Sequence, residues 1–123
     1  MVARSLVSVV DDDESVRESL PDLLREFGFS ARAFSSAEEF LASKYLGRTK
    51  CLILDIAMPG MSGPALQREL KLRRLDIPIV FITAHRDKNI CVDLLESGAV
   101  ECLLKPFSDT ALLDALNAAF RAK

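Results

Sequence analysis

No apolar run in the chain approaches the ~20 residues of a membrane span. Basic excess is missing too: 16 Lys and Arg stand against 18 Asp and Glu, a net charge of -2. That leaves no electrostatic footprint for direct nucleic-acid binding. Internal repeats, low-complexity segments and linkers are absent. Cysteine is scarce, and Cys51, Cys91 and Cys102 lack metal-ligand spacing. Odd in number and set in apolar surroundings, they are expected as buried, reduced thiols of a cytosolic protein. The N-terminal stretch, Arg4 and then Leu6 to Val10, is too short in its apolar part for a secretory signal and runs straight into acids.

What remains is ordinary globular material. The 123 residues, half of them hydrophobic and 28% charged, suit one domain that buries roughly two-thirds of its unfolded surface. Its centre is Cys51-Leu52-Ile53-Leu54-Asp55, followed by Ile56-Ala57-Met58-Pro59-Gly60-Met61-Ser62-Gly63. A short apolar run bounded by turn residues reads as a strand buried on both faces. Its last residue, Asp55, then lies at a sheet edge, where α/β proteins place their ligands.

Taken in order, the chain alternates. Ser5 to Val10 reads as a strand and ends in Asp11-Asp12-Asp13-Glu14, with Asp13 the better helix cap. Val16, Leu20, Leu23, Leu24 and Phe27 follow at helical spacing until Gly28. Pro21 falls inside this helix, where a kink is expected. Ser30 to Phe34 is a second strand, and Ser36-Ala37-Glu38-Glu39 is a capping box opening a helix through Leu41. Pro64 suits the first turn of a third helix with Leu66 and Leu70. Pro78 to Thr83 is a strand, and a helix from about Lys88 ends at Gly98. Glu101 to Leu104 is a fifth strand, and Ser108 caps a last helix that points Leu112, Leu113, Leu116, Ala119 and Phe120 inward.

Five strands alternating with five helices, four of the strands apolar, predict an α/β fold: one parallel sheet covered on both faces. Strand C-termini then share an edge, so Asp11-Asp12, Asp55, Thr83 and Lys105 converge. Three carboxylates at one edge raise each other's pKa unless a cation joins them. Their oxygens suit a hard divalent ion such as Mg2+. With Lys105 for phosphoryl charge, Thr83 for a hydroxyl contact and Asp55 as nucleophile, the set suits phosphoryl transfer through an acyl phosphate.

At these residues the sequence resembles the receiver domains of two-component response regulators. The matching stretches run from Val9-Val10-Asp11-Asp12-Asp13-Glu14 through Asp55 to Gly63, then Ile82-Thr83-Ala84-His85 and Lys105-Pro106-Phe107. Together, in order and at these separations, they cover essentially the whole chain. Asp12 to Leu20 and Phe34 to Leu41 look most like the FixJ-like subfamily. The resemblance implies a single flavodoxin-like (βα)5 domain with strand order 2-1-3-4-5, and phosphorylation of Asp55 by a sensor histidine kinase. It implies Mg2+ on Asp12, Asp55 and the Ala57 backbone carbonyl, with Asp11 acting largely through water. Thr83 swings toward the phosphoryl oxygens, Lys105 pairs with them, and the Lys105–Pro106 bond is cis. It further implies a cytoplasmic regulator with a C-terminal helix-turn-helix output domain, and homodimerisation on phosphorylation through the fourth and fifth helices. On this reading the chain is the receiver part of a longer regulator.

Departures are as informative. Cys102 stands where most receivers carry Tyr or Phe, so output is expected to rely on the Thr83–Asp87 loop and the following helix. Ala57 and His85 are expected to tune phosphoryl lifetime, and small Ala84 leaves the phosphoryl path open. Two other classes fit less well. An aspartyl-nucleophile phosphohydrolase usually has an acid two residues after the nucleophile, and here that residue is Ala57. An unphosphorylated interaction module has no need for intact acids.

Overall fold

A computed structural model describes residues 4–84 and 88–121. Five parallel strands form one sheet in the order β2-β1-β3-β4-β5. They are β1 Leu6–Val10, β2 Ser30–Phe34, β3 Thr49–Asp55, β4 Ile79–Thr83 and β5 Glu101–Leu104. The helices are α1 Glu14–Glu26, α2 Ala37–Leu41, α3 Gly63–Leu72, α4 Lys88–Glu96 and α5 Asp109–Arg121.

Alternation along the central strands sorts the core into two layers. Leu52, Leu54 and Phe81 pack on one face with Phe40, Leu66, Leu70 and Leu94 from α2, α3 and α4. Cys51, Ile53, Val80 and Ile82 pack on the other with Leu20, Leu24, Leu112 and Leu116 from α1 and α5. Continuous apolar strands are what such double coverage demands. Ala115 joins the buried face of α5, whereas Leu113 and Phe120 are only half-buried.

The caps fall where local chemistry put them. Asp13 accepts from the Ser15 N–H at 2.9 Å, and Ser36 accepts from the Glu39 N–H at 3.0 Å. Glu39 returns the favour one residue early, taking the Ser35 N–H at 2.8 Å. Helix α1 continues through Pro21, which is buried. Two things went unanticipated. A 3-10 turn, Leu46–Arg48, precedes β3, and β3 begins at Thr49 rather than Cys51. Thr49 is buried with its hydroxyl satisfied, donating to the Tyr45 carbonyl at 2.8 Å and meeting the Ser8 hydroxyl at 2.7 Å.

The cysteines require a correction. Cys51 is a free, fully buried thiol as expected, its pKa pushed up to about 12 by burial. Cys91 and Cys102 are not reduced thiols: they are joined in a disulfide between α4 and β5. β5 is an edge strand whose Glu101 and Leu104 are exposed.

Candidate functional site

Strand pairing brings the strand tips together. Val10 lies opposite Leu54, and Asp55 lies opposite Ile82. Asp11 and Asp12 therefore leave β1 beside Asp55 at the end of β3, while Thr83 ends β4 next to them. The Ile56 N–H donates to the Ile82 carbonyl at 3.2 Å, and the Lys105 N–H donates to the Thr83 carbonyl at 2.7 Å. These bonds hold the loops after β3 and β5 against β4.

One oxygen from each of Asp11, Asp12 and Asp55 lies within 4.8 Å of the others. Asp11 is fully buried, Asp55 and Thr83 are nearly so, and Asp12 is exposed. The Lys105 Nζ reaches in from the β5 end, 2.8 Å from Asp11 Oδ2 and 3.9 Å from Asp55 Oδ1. Asp11 is held further by the Asp13 N–H at 2.9 Å on Oδ1, while Arg17 donates to the Asp11 carbonyl at 3.0 Å. Burial pushes the Asp55 carboxyl up to about 7, with the Asp11 charge adding to the rise and Lys105 opposing it. Crowded, half-compensated carboxylates of this kind are what a hard cation neutralises. The donor set of two buried acids and one exposed acid fits such an ion.

The remaining expected residues are placed with less company. Ala57 is exposed at the start of the β3–α3 loop, and Ala84 is exposed just past β4. The Lys105–Pro106 peptide is cis, as the resemblance implies. His85 lies outside the described residues, as does the 85–87 part of the Thr83–Asp87 loop.

Two positioning residues were not anticipated. Gly63, at the start of α3, donates its N–H to the Ile56 carbonyl at 2.9 Å. A side chain there would run into the Asp55 backbone carbonyl, so the bare Cα is what lets the loop fold back under Asp55. Glu38 on α2 accepts the Met61 N–H at 3.0 Å and ties the same loop to the neighbouring helix. Gly63 closes the Pro- and Gly-rich stretch after Asp55, but only the folded-back loop gives it a task.

A buried acid at the edge of a 2-1-3-4-5 parallel sheet, with two further acids and a lysine around it, marks the class of protein. Residues 7–117 match the response regulator receiver domain model. The chain belongs to that family, and it is a phosphorylation-controlled signalling switch. It is 47% identical over 116 residues to nodulation protein W of Bradyrhizobium diazoefficiens, covering 94% of this chain and 51% of that one. Against the transcriptional regulatory protein FixJ of Rhizobium meliloti identity is 41% over 113 residues, covering 92% and 55%. Among solved structures, FixJ-N superposes with a TM-score of 0.86 at 37% identity, covering 98% of this chain and 96% of that one. The chain spans about half the length of the curated relatives it matches. No helix among the described residues is long and apolar enough to cross a membrane.

Proposed function

We propose that Asp55 is the phosphoacceptor, charged by a sensor histidine kinase in a Mg2+-dependent reaction. The observation that carries this is the meeting of Asp11, Asp12 and Asp55 within 4.8 Å, with the Lys105 amine 3.9 Å from Asp55. Asp11, Asp12, Asp55 and the Ala57 carbonyl are the residues that would hold the ion. When bound, Mg2+ supplies positive charge to the carboxylates and to the phosphoryl oxygens. An Asp55 oxygen attacks phosphorus, the P–N bond of the phosphohistidine breaks, and the imidazole leaves with its electron pair and takes up a proton. Lys105 then pairs with a phosphoryl oxygen, and the Thr83 hydroxyl donates to another. Water attack on the acyl phosphate returns Asp55 and inorganic phosphate, a self-directed reaction whose rate Ala57 and His85 tune.

The readout passes from Thr83 through Ala84 and α4 to a C-terminal helix-turn-helix domain in a longer cytoplasmic regulator. Activated chains pair through α4 and α5. We place the nucleic-acid contact in that output domain and not in this one. Incubation with acetyl phosphate and Mg2+, followed by intact mass, tests the phosphoacceptor: one added phosphoryl group on the parent chain and none on Asp55→Asn is expected. Equal incorporation in both chains refutes it.

A further inference from the structure

Eleven residues apart in sequence, Cys91 on α4 and Cys102 on β5 are bonded, with their Cα atoms 5.8 Å apart. That separation lies within the range a disulfide spans without moving the backbone. We propose that this pair is a reversible redox-modification site, whose oxidised form staples α4 to the sheet edge and whose reduced form releases the helix.

Three observations carry it. Both cysteines are half-buried, so a small thiol or disulfide reaches them, whereas Cys51 is sealed in the core. Little apolar burial holds α4: among its described residues Leu94 is the buried side chain, while Ile90, Val92 and Leu95 are exposed. Across the groove, α3 contributes the Lys71 amine on the Ser97 carbonyl and a 3.5 Å contact from Gln67 to the Leu94 carbonyl. A covalent tie is therefore a large addition to what holds this helix. Finally, Cys102 pairs with Phe81 in the β4–β5 ladder, two positions before Thr83 pairs with Leu104. The staple thus fastens α4 to the strand beside the one that ends at the site.

The chemistry balances with a low-molecular-weight disulfide such as oxidised glutathione as oxidant. One cysteine thiolate attacks it and expels a glutathione thiolate, and the second cysteine thiolate then displaces the other. The two protein thiol protons end on two glutathione molecules, and the protein gives up two electrons. Excess reduced glutathione reverses both steps.

The test equilibrates the whole chain across a series of glutathione ratios, alkylates it in denaturant with N-ethylmaleimide, and reads intact mass together with amide exchange of the 88–98 peptide. The number of alkylated thiols is expected to fall from three to one toward the oxidising end, in keeping with the three cysteines. Exchange of the peptide is expected to slow about tenfold with it. Three alkylated thiols at every ratio, or pairing with unchanged exchange, overturns the proposal. Cys91→Ser and Cys102→Ser are each expected to hold exchange at the reduced-form rate at every ratio. No phosphodonor is present, so failure here is distinct from failure of the phosphoacceptor reading.

Discussion

The centre of the sheet and its β5 edge are built to different standards. Every residue of β4 is buried, and in β3 the same holds but for Lys50, with covering helices on both faces. On β5 the terminal residues are exposed, and the adjacent α4 turns Ile90, Val92 and Leu95 to solvent. The contrast has a functional logic. Crowded carboxylates such as Asp11, Asp12 and Asp55 need to be held in place, and a double-sided core supplies that rigidity. A readout element has to move at low cost, and such elements come from the weakly packed end of a fold. On the proposed reading, anchoring the acids on β1 and β3 while relaying the change through α4 keeps these demands apart.

Cavities separate the two regions most. Ile53→Ala, in the fully buried centre, is expected to cost about 3–4 kcal/mol in urea denaturation, and Leu104→Ala at the exposed edge under about 1 kcal/mol. Equal losses would mean the edge is as tightly packed as the centre.

A smaller effect is expected from Gly63→Ala, about 2–3 kcal/mol, because the new methyl meets backbone that has little room to retreat. Phosphorylation by acetyl phosphate should slow together with the stability loss, since the same loop seats Asp55. Normal phosphorylation in a destabilised variant would separate the loop from the site.

Smallest is the pH effect. Folding raises the Asp55 carboxyl from 3.8 to about 7, so between those values the folded chain holds a proton that the unfolded chain has released. Stability of the metal-free chain therefore falls as pH rises from about 4 to 7 and levels off above, by about 2 kcal/mol after screening. Asp55→Asn should flatten that slope, and so should Mg2+. Asp13, exposed and shifted downward by its bonds from Ser15, acts below this window. Denaturation midpoints across the pH series, with and without Mg2+, supply the measurement.

Much of the site was legible because the signals are local and the geometry is generic. Asp13, Ser36 and Ser108 cap helices through bonds reaching two or three residues along the chain. Asp11, Asp55, Thr83 and Lys105 meet because parallel strands deliver their C-termini to one edge, whatever the side-chain packing. Thr49, Glu38 and Gly63 were not legible. Each acquires its role from a partner brought near by folding: the Ser8 hydroxyl, the Met61 amide and the Asp55 carbonyl.

From sequence alone came the alternation of elements, the buried centre and the convergence of four strand ends, since periodicity and strand polarity are written along the chain. Tertiary structure alone decided that Cys91 faces Cys102. That pairing depends on how α4 is rotated about its axis over an edge strand, and rotation is set by packing of Leu94 against the sheet rather than by any spacing between the two cysteines.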